Sequence, residues 1–144
     1  MVVAIAFAAA CGPSEAERAA ARAEAVLVVE QFGSRLKHVP LLAPPAEVSG
    51  HLRDQYGPYV TTLLLGGWLS DPASAPGRET SSPWPDRIEV RQAEPLGATA
   101  FDVSGEIVYV TTLEGDPVMR TPVTVRVVRG PDDVWRISEW TQGR

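Results

Sequence analysis

The sequence predicts an α+β domain in which N-terminal helices pack on a curved four-stranded antiparallel sheet. Two observations carry this. Apolar residues recur at three- and four-residue spacing through residue 69, and at two-residue spacing from residue 88 onward. Helical segments grouped first, with strands grouped after them, give the α+β order rather than the interleaved order of βαβ units. The chain has 144 residues, enough for one domain. Residues 1–13 read as a signal-like stretch and tether, and residues 14–144 as a single domain.

Each element has its own local cause. Ser14 and Glu17 have the Ser-x-x-Glu spacing of a capping box, which satisfies two free amide donors at a helix start. Ala21, Ala25, Val28, Phe32, Leu36 and Val39 then form one apolar stripe, and Pro40 stops it, predicting a helix over 14–37. Gly33 is expected to cost that helix about 1 kcal/mol. After a linker containing Pro40, Pro44 and Pro45, Val48 and Leu52 predict a second helix over 46–56, which Gly57–Pro58 breaks. Thr61 can cap a third helix with Val60, Leu64, Leu65, Trp68 and Leu69 on its apolar face. Gly66 and Gly67 either weaken it or permit close contact with a neighbour. Residues 71–86 form a long loop holding Pro72, Pro76, Pro83 and Pro85, and prolines at compatible positions favour one ordered shape.

The strands follow. Ile88, Val90 and Gln92 share one face of the first. Thr99, Phe101 and Val103 lead the second, which continues past Gly105 with Ile107, Tyr109, Thr111 and Leu113 against Val108 and Val110. Gly105 inside that pattern predicts a bulge or bend. Turns at Gly115–Asp116–Pro117 and Gly130–Pro131–Asp132–Asp133 introduce two more strands, marked by Val123, Val125 and Val127 and by Trp135 and Ile137. Short turns between successive strands make an antiparallel meander. Arg120, Arg126, Arg129 and Arg136 are expected to form cross-strand pairs with acids such as Glu106 and Glu139.

Composition excludes several functions. The 13 basic residues against 18 acidic ones leave a net charge of -5. Without a basic block there is no basis for nucleic-acid binding, which draws most of its affinity from phosphate contacts. One cysteine excludes an internal disulfide framework and a cysteine-based zinc cage. No matched nucleophile, base and orienter is visible, nor a phosphate-cradling glycine loop, so no catalytic residue, metal or cofactor is assigned. His51 and Asp54 share a helix face and would need another acid to hold a metal. His38 sits at a helix end, where its protonated form suits the dipole.

Residues 1–10 are wholly apolar, too few to span a bilayer but like the apolar region of a secretory signal. Ala9, Ala10 and Cys11, with Gly12 after them, resemble a bacterial lipoprotein signal, although Ala8 stands where leucine is usual. The resemblance implies lipid attachment at Cys11 and an extracytoplasmic, membrane-anchored protein. The alternative is an apolar helix start with Cys11 as a small core hydrophobe.

A long helix, two shorter ones and a four-stranded sheet broken at Gly105 resemble the nuclear-transport-factor-2-like superfamily, also called the cystatin-like cone, over about 14–140. The segments 71–78 and 81–88 are similar to those of small uncharacterised bacterial lipoproteins of spore formers. The cone resemblance implies an open end where a ligand enters. Asp102, Tyr109 and Glu114 would line it, and Tyr56, Tyr59 and Trp68 would cover it. Within the loop, Arg78 offers a carboxylate-binding fork and is expected to bond Asp86 or loop carbonyls, and Trp84 offers a rigid aromatic face. The loop is expected to close one end of the cone, with Trp84 against the helix carrying Trp68.

Three function classes are in view. The leading one is a non-catalytic extracytoplasmic domain, lipid-anchored in the membrane, that binds a peptide, cell-wall component or small molecule. The second is an isomerase- or dehydratase-type enzyme with an acid–base site in the cone. The third is a structural accessory domain that forms a homodimer or meets an envelope protein through its outer sheet face. A filled interior under an exposed Trp84 favours binding, a dry pocket with one buried carboxylate favours the enzyme, and an apolar outer face favours assembly.

Overall fold

The computed structural model describes residues 12–143, and Cys11 lies outside them. Helix α1 (Glu15–Gly33) starts at the expected capping box: the Ser14 hydroxyl accepts from the Glu17 amide at 3.1 Å, and the Glu17 carboxylate accepts from the Ser14 amide at 2.8 Å. It ends at Gly33, short of Lys37, and a 3-10 turn over Leu36–His38 follows. A close crossing explains the glycine. A Cβ on Gly33 would sit 2.6 Å from the backbone nitrogen of Ile88. The glycine expected to weaken the helix is what lets the helix touch the sheet.

Helix α2 (Pro45–His51) has proline in its first turn, where a missing amide donor costs nothing. It runs on into one π turn over Leu52–Tyr56. Helix α3 (Thr62–Ser70) is capped by the Thr61 hydroxyl, which accepts from the Leu64 amide at 3.3 Å. Gly66 and Gly67 are exposed and approach nothing, so neither serves a close contact.

Strands β1 (Trp84–Pro95), β2 (Ala100–Val110), β3 (Met119–Arg129) and β4 (Trp135–Gln142) form an open antiparallel sheet in the order β1-β2-β3-β4. Gly105 pairs with Val90, and the bulge lies in β1, between Val90 and Gln92. A Cβ at Gly105 would collide with the Glu89 carbonyl, so only glycine permits this approach. Arg91 is the extra residue, and it moves Gln92 to the opposite face from Ile88 and Val90, against the expected alternation. The free edge of β4 is met by the chain before α3: the Thr61 amide donates to the Ile137 carbonyl at 2.9 Å, and the Ile137 amide to the Tyr59 carbonyl at 2.8 Å.

Phe32, Tyr56, Trp68 and Trp140 meet between the helices and the sheet. Ring centroids are 4.7 Å apart for Phe32–Tyr56, 5.4 Å for Phe32–Trp140, 5.7 Å for Tyr56–Trp68 and 6.3 Å for Trp68–Trp140. Leu36, Leu52, Ile88, Ile107, Val125 and Ile137 surround them. No charged side chain is buried among the described residues.

The opposite sheet face is charged. Arg120 joins Glu89 at 2.7 Å, Arg91 joins Glu106 at 2.9 Å, and Arg126 joins Asp102 at 3.0 Å and Glu139 at 3.5 Å. These are the expected cross-strand pairs for Arg120 and Arg126. Arg129 and Arg136 instead reach Asp133 and Asp132 beside the last turn. Val108, flanked by Arg87 and Arg120, is buried on this outer face under their stems.

Gly33→Ala tests the helix–sheet crossing. Helix propensity alone favours alanine by about 1 kcal/mol. The clash with Ile88 is expected to reverse the sign and lower stability by about 1–3 kcal/mol. A urea titration with an unchanged or raised midpoint would contradict so close a crossing.

Candidate functional site

Of the residues expected to frame an open cone, the structure brings Tyr56 and Trp68 together, in the core. Tyr56 is fully buried, and its hydroxyl donates to the buried Pro76 carbonyl at 2.7 Å. Burial pushes its phenol well above the ordinary tyrosine range. Trp68 is buried beside it. Tyr59 is half-buried and accepts from Arg35 at 3.4 Å. Asp102 faces the other way, onto the charged sheet face, because its neighbours Phe101 and Val103 take the core side. Tyr109 is half-buried at the far end of β2, where burial raises its phenol above the usual value, and Glu114 is exposed in the next connection.

The proline-rich loop is ordered as expected, with a short 3-10 turn over Pro72–Ser74 and a cis Ser82–Pro83 peptide. Its centre is Arg78. The backbone amide of Arg78 donates to the Val39 carbonyl at 2.8 Å, and its carbonyl accepts from Leu41 at 2.9 Å. Its guanidinium donates to the Thr80 carbonyl at 3.1 Å and the Ser81 carbonyl at 2.5 Å, and lies 5.0 Å above the Trp84 ring. Loop carbonyls, not Asp86, are therefore its partners. Asp86 pairs with Lys37 at 2.7 Å and Arg87 at 2.9 Å. Burial alone would raise the Asp86 carboxyl, but these two hydrogen bonds outweigh it and hold the group below its usual value.

Trp84 does not pack on the helix carrying Trp68. A bulge at Asp86 shifts the register, so Trp84 pairs with Val110 on the outer face and stays half-buried. With regular alternation, Trp84 would have shared the core side with Ile88.

The surface depressions among the described residues include one beside α1, one beside the proline-rich loop and a third between the start of α3 and the β3–β4 turn. The first, about 760 Å³, lies between the first turns of α1 and the β1–β2 hairpin. Ala20, Ala21, Ala98 and Phe101 make it apolar, and Glu17, Arg18, Glu24 and Arg129 give it a charged rim. Two of these groups are braced by Trp135, whose indole donates to Glu24 at 2.9 Å and whose ring lies 5.7 Å under Arg129. The cleft exists because α1 presents alanines here, where Val29 and Phe32 fill the same layer further along. Sequence reasoning placed Ala21 in the core stripe and did not single out Phe101 or Arg18. Only the run of alanines hinted at missing bulk.

The second, a groove of about 430 Å³, gathers Lys37, His38, Leu42, His51, Arg78 and Glu79. It brings together both histidines of the chain and the loop arginine, three features that lie far apart in sequence. His38 titrates below the ordinary histidine value, first because of partial burial and then because Lys37 and Arg35 repel its proton. Among the described residues no group of three His, Cys, Asp or Glu side chains could hold a metal, so His51 and Asp54 find no further ligand. No helix among the described residues is long and apolar enough to cross a membrane.

No family model, curated protein or solved structure matches this chain.

Proposed function

We propose that this chain is a non-catalytic binding domain, tethered outside the cytoplasm by a lipid on Cys11, with a sheet wrapped in the manner of the cystatin-like cone. The observation that carries the binding function is the filled interior. Phe32, Tyr56, Trp68 and Trp140 occupy the layer in which an acid–base enzyme of that architecture would keep its pocket. The acid–base alternative needs a carboxylate in a dry cavity, and every charged side chain among the described residues retains solvent contact. Trp84 is half-exposed, as a binding module favours.

The α1–hairpin cleft is then the primary binding site. Its apolar lining and mixed-charge rim suit an amphiphilic small molecule, a short peptide or a cell-wall fragment. Pro13 lines this cleft, two residues after Cys11, so a lipid there holds the cleft beside the bilayer. A second copy or an envelope protein meeting the outer sheet face would meet the paired charges of Glu89, Arg120, Asp102 and Arg126 rather than apolar surface.

The test is a protein-observed NMR screen of short peptides and small amphiphiles against the natural chain and Ala21→Trp, whose indole fills the cleft. Ligands are expected to shift the Ala21 and Phe101 signals and to lose affinity by about tenfold or more in the variant, the equivalent of about 1.4 kcal/mol. Undiminished binding to Ala21→Trp would place the site elsewhere. The anchor is tested separately in cells: Cys11→Ala is expected to remove the protein from the membrane fraction, and unchanged membrane recovery would contradict the lipid.

A further inference from the structure

We propose a second, independent binding site: the groove between the 3-10 turn at Leu36–His38, the end of α2 and the proline-rich loop takes the phosphate group of an organic phosphoester. Three segments supply its basic groups. Lys37 and His38 come from the turn, His51 from α2, and Arg78 from the loop, and all four line one depression of about 430 Å³. Pro40 and Leu42 line the same groove, and Leu42 is 81% exposed, leaving an apolar surface for the rest of the molecule.

The charges facing the two histidines come from every neighbouring segment, including α2 and its π turn, which carry Glu47 four residues before His51 and Asp54 three after it. The turn contributes Arg35 and Lys37, the loop contributes Arg78 and Glu79, and β1 contributes Asp86, held against Lys37, with Arg87 on its other oxygen. Lys37 and Arg78 line the groove against Glu79, with Asp86 held on Lys37, so its charge is near balance until the imidazoles are protonated. Burial first, and then the positive charges of Lys37 and Arg35, lower the His38 titration. Arg78 is already oriented for a ligand, because its Nε and one terminal nitrogen are fixed on loop carbonyls and its plane lies over Trp84. Its other terminal nitrogen makes no hydrogen bond or ion pair among the described residues, and a guanidinium fixed in this way binds an oxyanion at little entropic cost.

Protonating His38 and His51 adds positive charge, so oxyanion affinity rises as pH falls through the histidine range. By linkage, a bound oxyanion raises the His38 titration point. Sulfate is the first probe, since its own charge is constant over that range. The imidazole carbon-bound proton signals of His38 and His51 are followed by NMR during a sulfate titration, with chloride at matched ionic strength as the control. Saturable shifts of both signals are expected, with affinity about tenfold higher near pH 5.5 than near pH 7.5. The double variant His38→Gln/His51→Gln, checked for folding by its spectrum, is expected to lose that pH dependence. Glycerophosphate and phosphatidylglycerol vesicles then separate a soluble ester from a lipid head group, and saturable binding of either supports the phosphate site. Shifts no larger than those from chloride, or an unchanged pH dependence in the folded double variant, would overturn the proposal.

Discussion

Four aromatic rings filling one layer constrain the rest of this structure. Phe32 touches Tyr56 and Trp140, and Trp68 closes the set, so one ring from α1, one from the π turn, one from α3 and one from β4 are fixed together. Each such pair contributes about 0.5–1.5 kcal/mol beyond the burial of its area. Tyr56 extends the constraint outward, because its buried hydroxyl ends on the Pro76 carbonyl. The loop is thereby tied to the core just before Arg78. Through Arg78 the tie continues to Val39, Leu41 and Trp84. The interior thus determines the shape of a surface segment whose buried residues ahead of β1 are Ala75 and Pro76.

A filled interior moves any binding chemistry to the periphery, and two of its depressions differ in character. The α1–hairpin cleft is apolar with balanced charge on its rim. The histidine groove sets Lys37, His38, His51 and Arg78 around an apolar surface that includes Pro40 and Leu42. They are lined by entirely different residues, so a ligand in one makes no direct contact with a ligand in the other. The charged outer sheet face is a further surface, and its arginines and carboxylates are largely satisfied by one another. Such a ladder contributes little to stability when exposed, but it discourages apolar self-association.

Much of the fold was legible because its signals are local. The capping box at Ser14, the threonine cap at Thr61 and the Gly/Pro turns needed no knowledge of distant residues. What escaped were single-residue irregularities. Regular alternation places Trp84 with Ile88, and the bulge at Asp86 moves it to the other face. It also places Ile137 with Glu139, and the bulge at Ser138 brings Trp140 inward instead, into the aromatic layer. The π turn that carries Tyr56 left no visible mark in the sequence pattern. The candidate site was less legible still. Asp102 reads as a lining residue in the sequence because alternation gives two faces without saying which one the helices cover. His38, His51 and Arg78 were each noticed, but their meeting depends on the path of the loop, which Tyr56 and Val39 fix only in three dimensions.

Occupancy of the interior is the claim on which the binding function turns, and benzene measures it directly. A small apolar ligand enters a dry cavity when one exists and stabilises the protein that holds it. Thermal unfolding of the natural chain and of Trp68→Ala, with and without saturating benzene, compares a filled layer with one deliberately emptied. The expected result is no stabilisation of the natural chain and a clear rise in melting temperature for the variant. An equal rise in the natural chain would show room among Phe32, Tyr56, Trp68 and Trp140, and would return the active-site pocket to the interior.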